Sequence, residues 1–181
     1  YKLGSKDPEA RAKMHNASAM AAMAFSNAFL GINHSLAHKI GGMFGTVHGR
    51  TNAILMPHVI RYNGTVPGKL HIWPKYESYV ADERYQEIAQ MLGLPASSPA
   101  EGVESFAQAC IDLAIECDVE MNLKSFGVDE QAFMDNLNLL AMNAYEDQCS
   151  PVNPRQPLIK DLEQILFNAY YGINTPHDVS E

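Results

Sequence analysis

Three histidines, His34, His38 and His48, fall within fifteen residues, in the string GINHSLAHKIGGMFGTVHGRTNA. Imidazole binds iron, zinc and copper, and it is the side chain best suited to moving protons near neutral pH. His34 and His38 are four residues apart. On a helix they share one face, about 6 Å apart along the axis, a spacing able to chelate one metal ion. A glycine-rich turn then separates them from His48 and could fold that ring back beside them. The pair directly follows the most apolar stretch of the chain, Ala17 to Leu30. A polar group buried without a partner costs about 1–3 kcal/mol. The rings are therefore either hydrogen-bonded core residues or members of a site. His15, His58, His71 and His177 stand alone and read as structural or solvent-facing. No GxGxxG, GxxxxGK[ST] or GxSxG motif occurs, and Gly41-Gly42 reads as a helix stop.

The elements that must position these rings read as about seven helices and no strands, an all-α chain. Asp7 and Pro8 suit the N-cap and first position of a first helix ending near Gly31. Its Ala, Met and Phe residues lie on almost every side, so it is expected to be a buried core helix. The second helix runs from about Asn33 to Ile40. The third runs from about His48 to Tyr62, with Pro57 expected to kink it or mark an early turn. Residues 64 to 80 read as an irregular loop that packs through Trp73, Tyr76 and Tyr79. The fourth helix covers about Asp82 to Leu92. The fifth places Phe106, Cys110, Leu113 and Cys117 on one face. Asp129 caps the sixth, with Phe133, Leu137, Leu140 and Ala144 inward. A Pro/Asn loop from 147 to 157 precedes the seventh, about Leu158 to Tyr170.

Composition bounds the rest. The chain has 181 residues, of which 46% are hydrophobic and 19% charged, so a core is available and disorder is disfavoured. The net charge of −8, with no basic stripe, excludes a nucleic-acid partner. The apolar run from Ala17 to Leu30 is shorter than the ~20 residues a membrane span requires, so no membrane partner is expected. Three cysteines without CxxC spacing do not make a disulfide framework, and a reducing cytoplasm fits. Cys110 and Cys117 read as small apolar core residues. The chain opens on Tyr1 within a few residues of a helix, as the middle of a longer protein would.

The stretch His34 to Gly42, then His48-Gly49 and Asn52-Ala53, resembles the signature of the iron-containing (group III) alcohol dehydrogenases. So does LMPHVIRYN, Leu55 to Asn63. GSKDPEARAKMHNAS near the start, DQCSPVNPRQPLI at 147–159 and LFNAYYG at 166–172 resemble most closely the C-terminal alcohol dehydrogenase domain of bifunctional aldehyde-alcohol dehydrogenases. The resemblance covers essentially the whole chain, 1–181. It implies the C-terminal helical domain of a dehydroquinate synthase-like fold, with the N-terminal dinucleotide-binding domain absent from this chain.

The resemblance also implies chemistry. One Asp and three His hold Fe2+, or Zn2+ in its place, and the last two His are fourteen residues apart. That spacing selects His34 and His48 as metal ligands. His38 lies beside the metal as a catalytic, substrate-pocket or proton-relay residue, although helix spacing alone would have paired it with His34. The Asp and the first His belong to an upstream DxxxH segment that this sequence lacks. NAD binds mainly to the missing domain. Phe44 and the Gly41–Gly45 turn are candidate pocket lining. Val47 departs from the family's usual Pro before the last histidine. The implied reaction interconverts acetaldehyde and ethanol with NADH and NAD in fermentation. The implied partners are a small aldehyde or alcohol and further copies of the protein, as a homo-oligomer that is filamentous at full length. The alternative is a stand-alone helical metal-binding or assembly module without redox activity.

Overall fold

The computed structural model describes residues 6–68 and 78–172. Among the described residues there are seven α-helices and no strand. They are α1 (Pro8–Ala28), α2 (Ile32–Phe44), α3 (His48–Asn63), α4 (Ala81–Met91), α5 (Pro99–Glu116), α6 (Glu130–Tyr145) and α7 (Ile159–Tyr171). A single 3-10 turn, Ser150–Val152, precedes α7. His71, His177, Trp73 and Tyr76 lie outside the described residues.

The start signals act as their chemistry dictates. The Asp7 carboxylate accepts the N–H groups of Glu9 and Ala10 at 3.0 and 3.1 Å. Ser98 accepts from Glu101 N–H, and Asp129 from Ala132 N–H. Each satisfies a donor that the first helical turn leaves orphaned.

α2 and α3 pack on each other at the centre, with α6 and α7 on one side and α5, backed by α4, on the other. The main core joins Ile32, Leu36 and Ile40 of α2 to Leu55 and Tyr62 of α3, Phe133 and Leu140 of α6, and Leu166 and Tyr170 of α7. Phe133 stacks on Tyr170 at 4.4 Å between ring centres. A smaller cluster of Ile60, Val103 and Ala107, flanked by Tyr85 and Phe106, joins α5 to α3 and α4. Gly102 permits the α4–α5 contact, because a Cβ there would sit 2.6 Å from Gln86 Cα.

Several expectations change. The first helix is not a buried core helix: no residue of α1 is buried, and Met20 and Met23 are 69% and 65% exposed. Its apolar sides find no described helix packed along them. Gly41-Gly42 does not stop α2. The helix runs one turn further and ends at Gly45, which adopts φ +67° and donates its N–H to Gly41 O. Two glycines weaken a helix by about 1 kcal/mol each, which the packing of Ile40 and Phe44 can offset. Of the two expectations for Pro57, the early turn does not occur: Pro57 is buried inside α3, which continues through it as one helix. On α5 the inward face is Val103, Ala107 and Ala114; Phe106 and Cys110 are half-buried and Leu113 is 61% exposed. Cys110 and Cys117 are half-buried free thiols rather than fully buried ones.

Candidate metal centre

The core face of α2 sets where its histidines point. Ile32, Leu36 and Ile40 repeat every four residues and are fully buried. His34 and His38 lie two residues on from Ile32 and Leu36, about 200° around the helix at 100° per residue. Burying the aliphatic row therefore turns the imidazole row away from the core. Both histidines are half-buried.

His48 arrives from the other side of the α2–α3 turn. Gly45 in its left-handed conformation closes α2, and Thr51 Oγ1 lies 2.8 Å from Thr46 Oγ1 and 3.1 Å from Val47 O. Val47 has φ −69°, within the range that proline's ring enforces. Proline could adopt the φ that Val47 has here, and His48 begins α3.

The three rings converge. Ring centres are 5.3 Å apart for His34 and His48, 5.4 Å for His38 and His48, and 6.0 Å for His34 and His38. Burial, and then the neighbouring His48 and His38, push the His34 pKa below the ordinary imidazole value. His34 is consequently neutral near pH 7, the form that offers a lone pair to a cation. His48 is exposed. Asn52 Nδ2 donates to His48 O at 3.0 Å and lies 3.1 Å from His48 Nε2, while Asn33 Nδ2 donates to Asn52 Oδ1 at 2.8 Å. This amide pair ties α2 to α3 beside the rings. Imidazoles converging from two helices fit a borderline metal such as iron or zinc.

Sequence reasoning missed what lies behind His38. Asp147, half-buried just after α6, presents Oδ2 at 2.8 Å from Lys39 Nζ and 3.3 Å from His38 Nδ1. Its Oδ1 accepts the Cys149 N–H at 3.0 Å. Burial raises the Asp147 pKa, but hydrogen bonds from Lys39, Cys149 and His38 more than reverse that, holding it well below the usual carboxylate range. Burial, then the hydrogen bond and negative charge of Asp147, push the Cys149 thiol up to about 11. His38, Asp147 and Cys149 bring one ligand atom each within 4.8 Å of one another. The Lys39 ammonium on the shared carboxylate and a protonated thiol both disfavour a cation among these three. An acid and a cysteine in a Pro/Asn loop were the available sequence signal.

The same segment clamps the helices that carry the rings. Asn153, 3% exposed, donates to Asn63 Oδ1 and Arg155 O and accepts from Ile32 N–H at the start of α2. Arg155, 2% exposed, donates to Tyr62 O at 2.9 Å and covers the Tyr62 ring at 4.2 Å. Ser150 Oγ lies 2.9 Å from Ser35 Oγ. Phe44 packs towards Phe133 and the core. An apolar cavity of about 340 Å³ opens elsewhere, lined by Tyr79, Val80, Tyr85, Ile88 and Pro154 among others, and includes none of the three histidines. His15 is exposed and His58 is buried within α3.

Residues 2–170 match the Fe-containing alcohol dehydrogenase family, C-terminal part. The chain is 58% identical over 166 residues to an aldehyde-alcohol dehydrogenase of Streptococcus pneumoniae serotype 4, covering 92% of this chain and 19% of that protein. It is 42% identical over 175 residues to a bifunctional aldehyde-alcohol dehydrogenase of Escherichia coli K12, covering 95% of this chain and 20% of that protein. The crystal structure of an iron-containing alcohol dehydrogenase from Thermococcus thioreducens superposes with a TM-score of 0.77 at 30% identity, covering 93% of this chain and 39% of that one. The chain thus spans about a fifth of these curated relatives. Helices, signature and match agree: the chain belongs to the iron-containing alcohol dehydrogenase family, of which it carries the C-terminal helical part.

Proposed function

We propose that this chain is the helical, metal-carrying portion of an NAD-dependent alcohol dehydrogenase within a bifunctional aldehyde-alcohol dehydrogenase, interconverting acetaldehyde and ethanol. The observation that carries the reading is the convergence of His34, His38 and His48 from two helices within 5.3–6.0 Å. The identity to aldehyde-alcohol dehydrogenases across more than nine-tenths of the chain supports it.

In this reading His34 and His48 hold iron, or zinc in its place, together with an Asp and a His from an upstream segment. Bound there, the metal supplies Lewis-acid stabilisation of negative charge on the substrate oxygen. Alcohol oxidation releases a hydride from carbon, which reduces the nicotinamide, and a proton from the hydroxyl, which the His38 ring accepts. The dinucleotide-binding domain and self-assembly, filamentous at full length, belong to the larger protein. Three free thiols support a reducing, cytoplasmic setting. Among the described residues no helix is long and apolar enough to cross a membrane.

The test is metal analysis of the full-length protein. His34→Ala and His48→Ala are expected to lose the metal, and His38→Asn to keep it while turning over slowly. Normal iron content in His34→Ala would overturn the ligand assignment. The convergence of all three rings also favours a second reading, a metal-binding module without redox chemistry. Tight one-to-one metal binding by this chain alone, unaffected by supplying the upstream segment, would favour that module.

A further inference from the structure

We propose that Asp147 is a positioning residue for His38, fixing the ring's orientation and placing its single proton on Nδ1. The inference rests on the reading of His38 as the proton acceptor. Asp147 Oδ2 faces His38 Nδ1 at 3.3 Å. A carboxylate accepts and cannot donate, so in the neutral ring Nδ1 carries the hydrogen and Nε2 carries the lone pair. Free imidazole has no such constraint, and a ring with the opposite tautomer could not take a proton at Nε2.

The carboxylate is itself held. Cys149 N–H fixes Oδ1, and Lys39 Nζ fixes Oδ2 at 2.8 Å. Its side chain is 8% exposed, against 36% for His38. The more exposed side chain is thus oriented by the less exposed one, the arrangement that keeps a reactive imidazole in one rotamer. The His48 ring lies nearly parallel to that of His38, at 14° between planes with centres 5.4 Å apart. The Lys39 ammonium favours the ionised form of Asp147.

Two measurements test this. In the chain labelled at its imidazole nitrogens, long-range proton–nitrogen spectra well above the ordinary imidazole pKa of about 6.5 report the tautomer. His38 is expected to be Nδ1–H in the native chain and mainly Nε2–H in Asp147→Ala. A native His38 in the Nε2–H form overturns the proposal. In the full-length enzyme, Asp147→Asn is expected to lower kcat about 10- to 100-fold with metal content retained and KM for the alcohol changed less than about threefold. Asp147→Glu should recover part of the loss. The double variant His38→Asn/Asp147→Asn should be no slower than His38→Asn alone, because the carboxylate acts through the ring. Losses that multiply would overturn the positioning role, as would wild-type kcat in Asp147→Asn alongside an impaired His38→Asn. Wild-type kcat in His38→Asn would instead overturn the reading beneath it.

Discussion

Two stretches of this chain invert the usual relation between composition and burial. α1 is rich in Ala, Met and Phe and buries none of its residues. The segment from Asp147 to Arg155 carries Asp, Ser, Asn and Arg, yet Ser150 is fully buried and Asn153 and Arg155 are 3% and 2% exposed. What separates them is partners. Buried polar groups need partners, and this loop finds most of its own at the start of α2, the end of α3 and the backbone of α6, with Arg155 Nε left without a hydrogen bond. α1 offers apolar surface, but nothing among the described residues is packed along it to exclude water. Burial is a property of a pair of surfaces, and composition supplies only one of them.

The largest effect that can break this comparison is expected at Arg155. Arg155→Ala removes a charged donor from Tyr62 O, which also accepts the Thr65 N–H, and uncovers the Tyr62 ring. We expect a loss of about 3 kcal/mol in urea unfolding. A loss below about 1 kcal/mol would show the segment to be anchored no better than surface.

Asp147 gives an intermediate effect with a defined pH window. Lys39, Cys149 and His38 together outweigh burial and hold its folded-state pKa below the unfolded value of about 3.9. Its stabilising contribution is therefore fully present above that value and is lost as pH falls through the lower folded-state pKa. The stability gap between the native chain and Asp147→Asn should narrow as pH falls below about 4. A gap that widens in acid would contradict the assignment.

The smallest effect is expected on α1. Met20→Ala and Met23→Ala should each change the stability of the chain by less than about 0.5 kcal/mol. Losses of about 2–5 kcal/mol, the usual result for a buried methionine, would show that α1 is covered in solution and would dissolve the contrast.

Much of the fold was legible because it rests on local chemistry. Asp7-Pro8 and Asp129 place helix starts by satisfying orphan N–H groups. Phe133, Leu140 and Ala144 face inward as their spacing predicts. Gly41-Gly42 misled, because a glycine pair lowers helix propensity without forbidding helix, and α2 stopped only where a left-handed residue was required. The α5 face was misjudged by the size of Leu113. The smaller Val103 and Ala107 are buried instead, where α5 approaches α3 and α4 closely.

For the site, the sequence by itself determined that three imidazoles would be available and that two would share one helical face. Four-residue spacing and a short glycine-containing turn are local facts, and the family signature resides in them. Tertiary structure alone decided what stands behind those rings. Asp147 is 109 residues from His38, and Asn153 is 121 from Ile32. No periodicity links positions that far apart. They meet because α6 and α7 close over the aliphatic row of α2, and that packing brings the polar loop between them against the histidine helix.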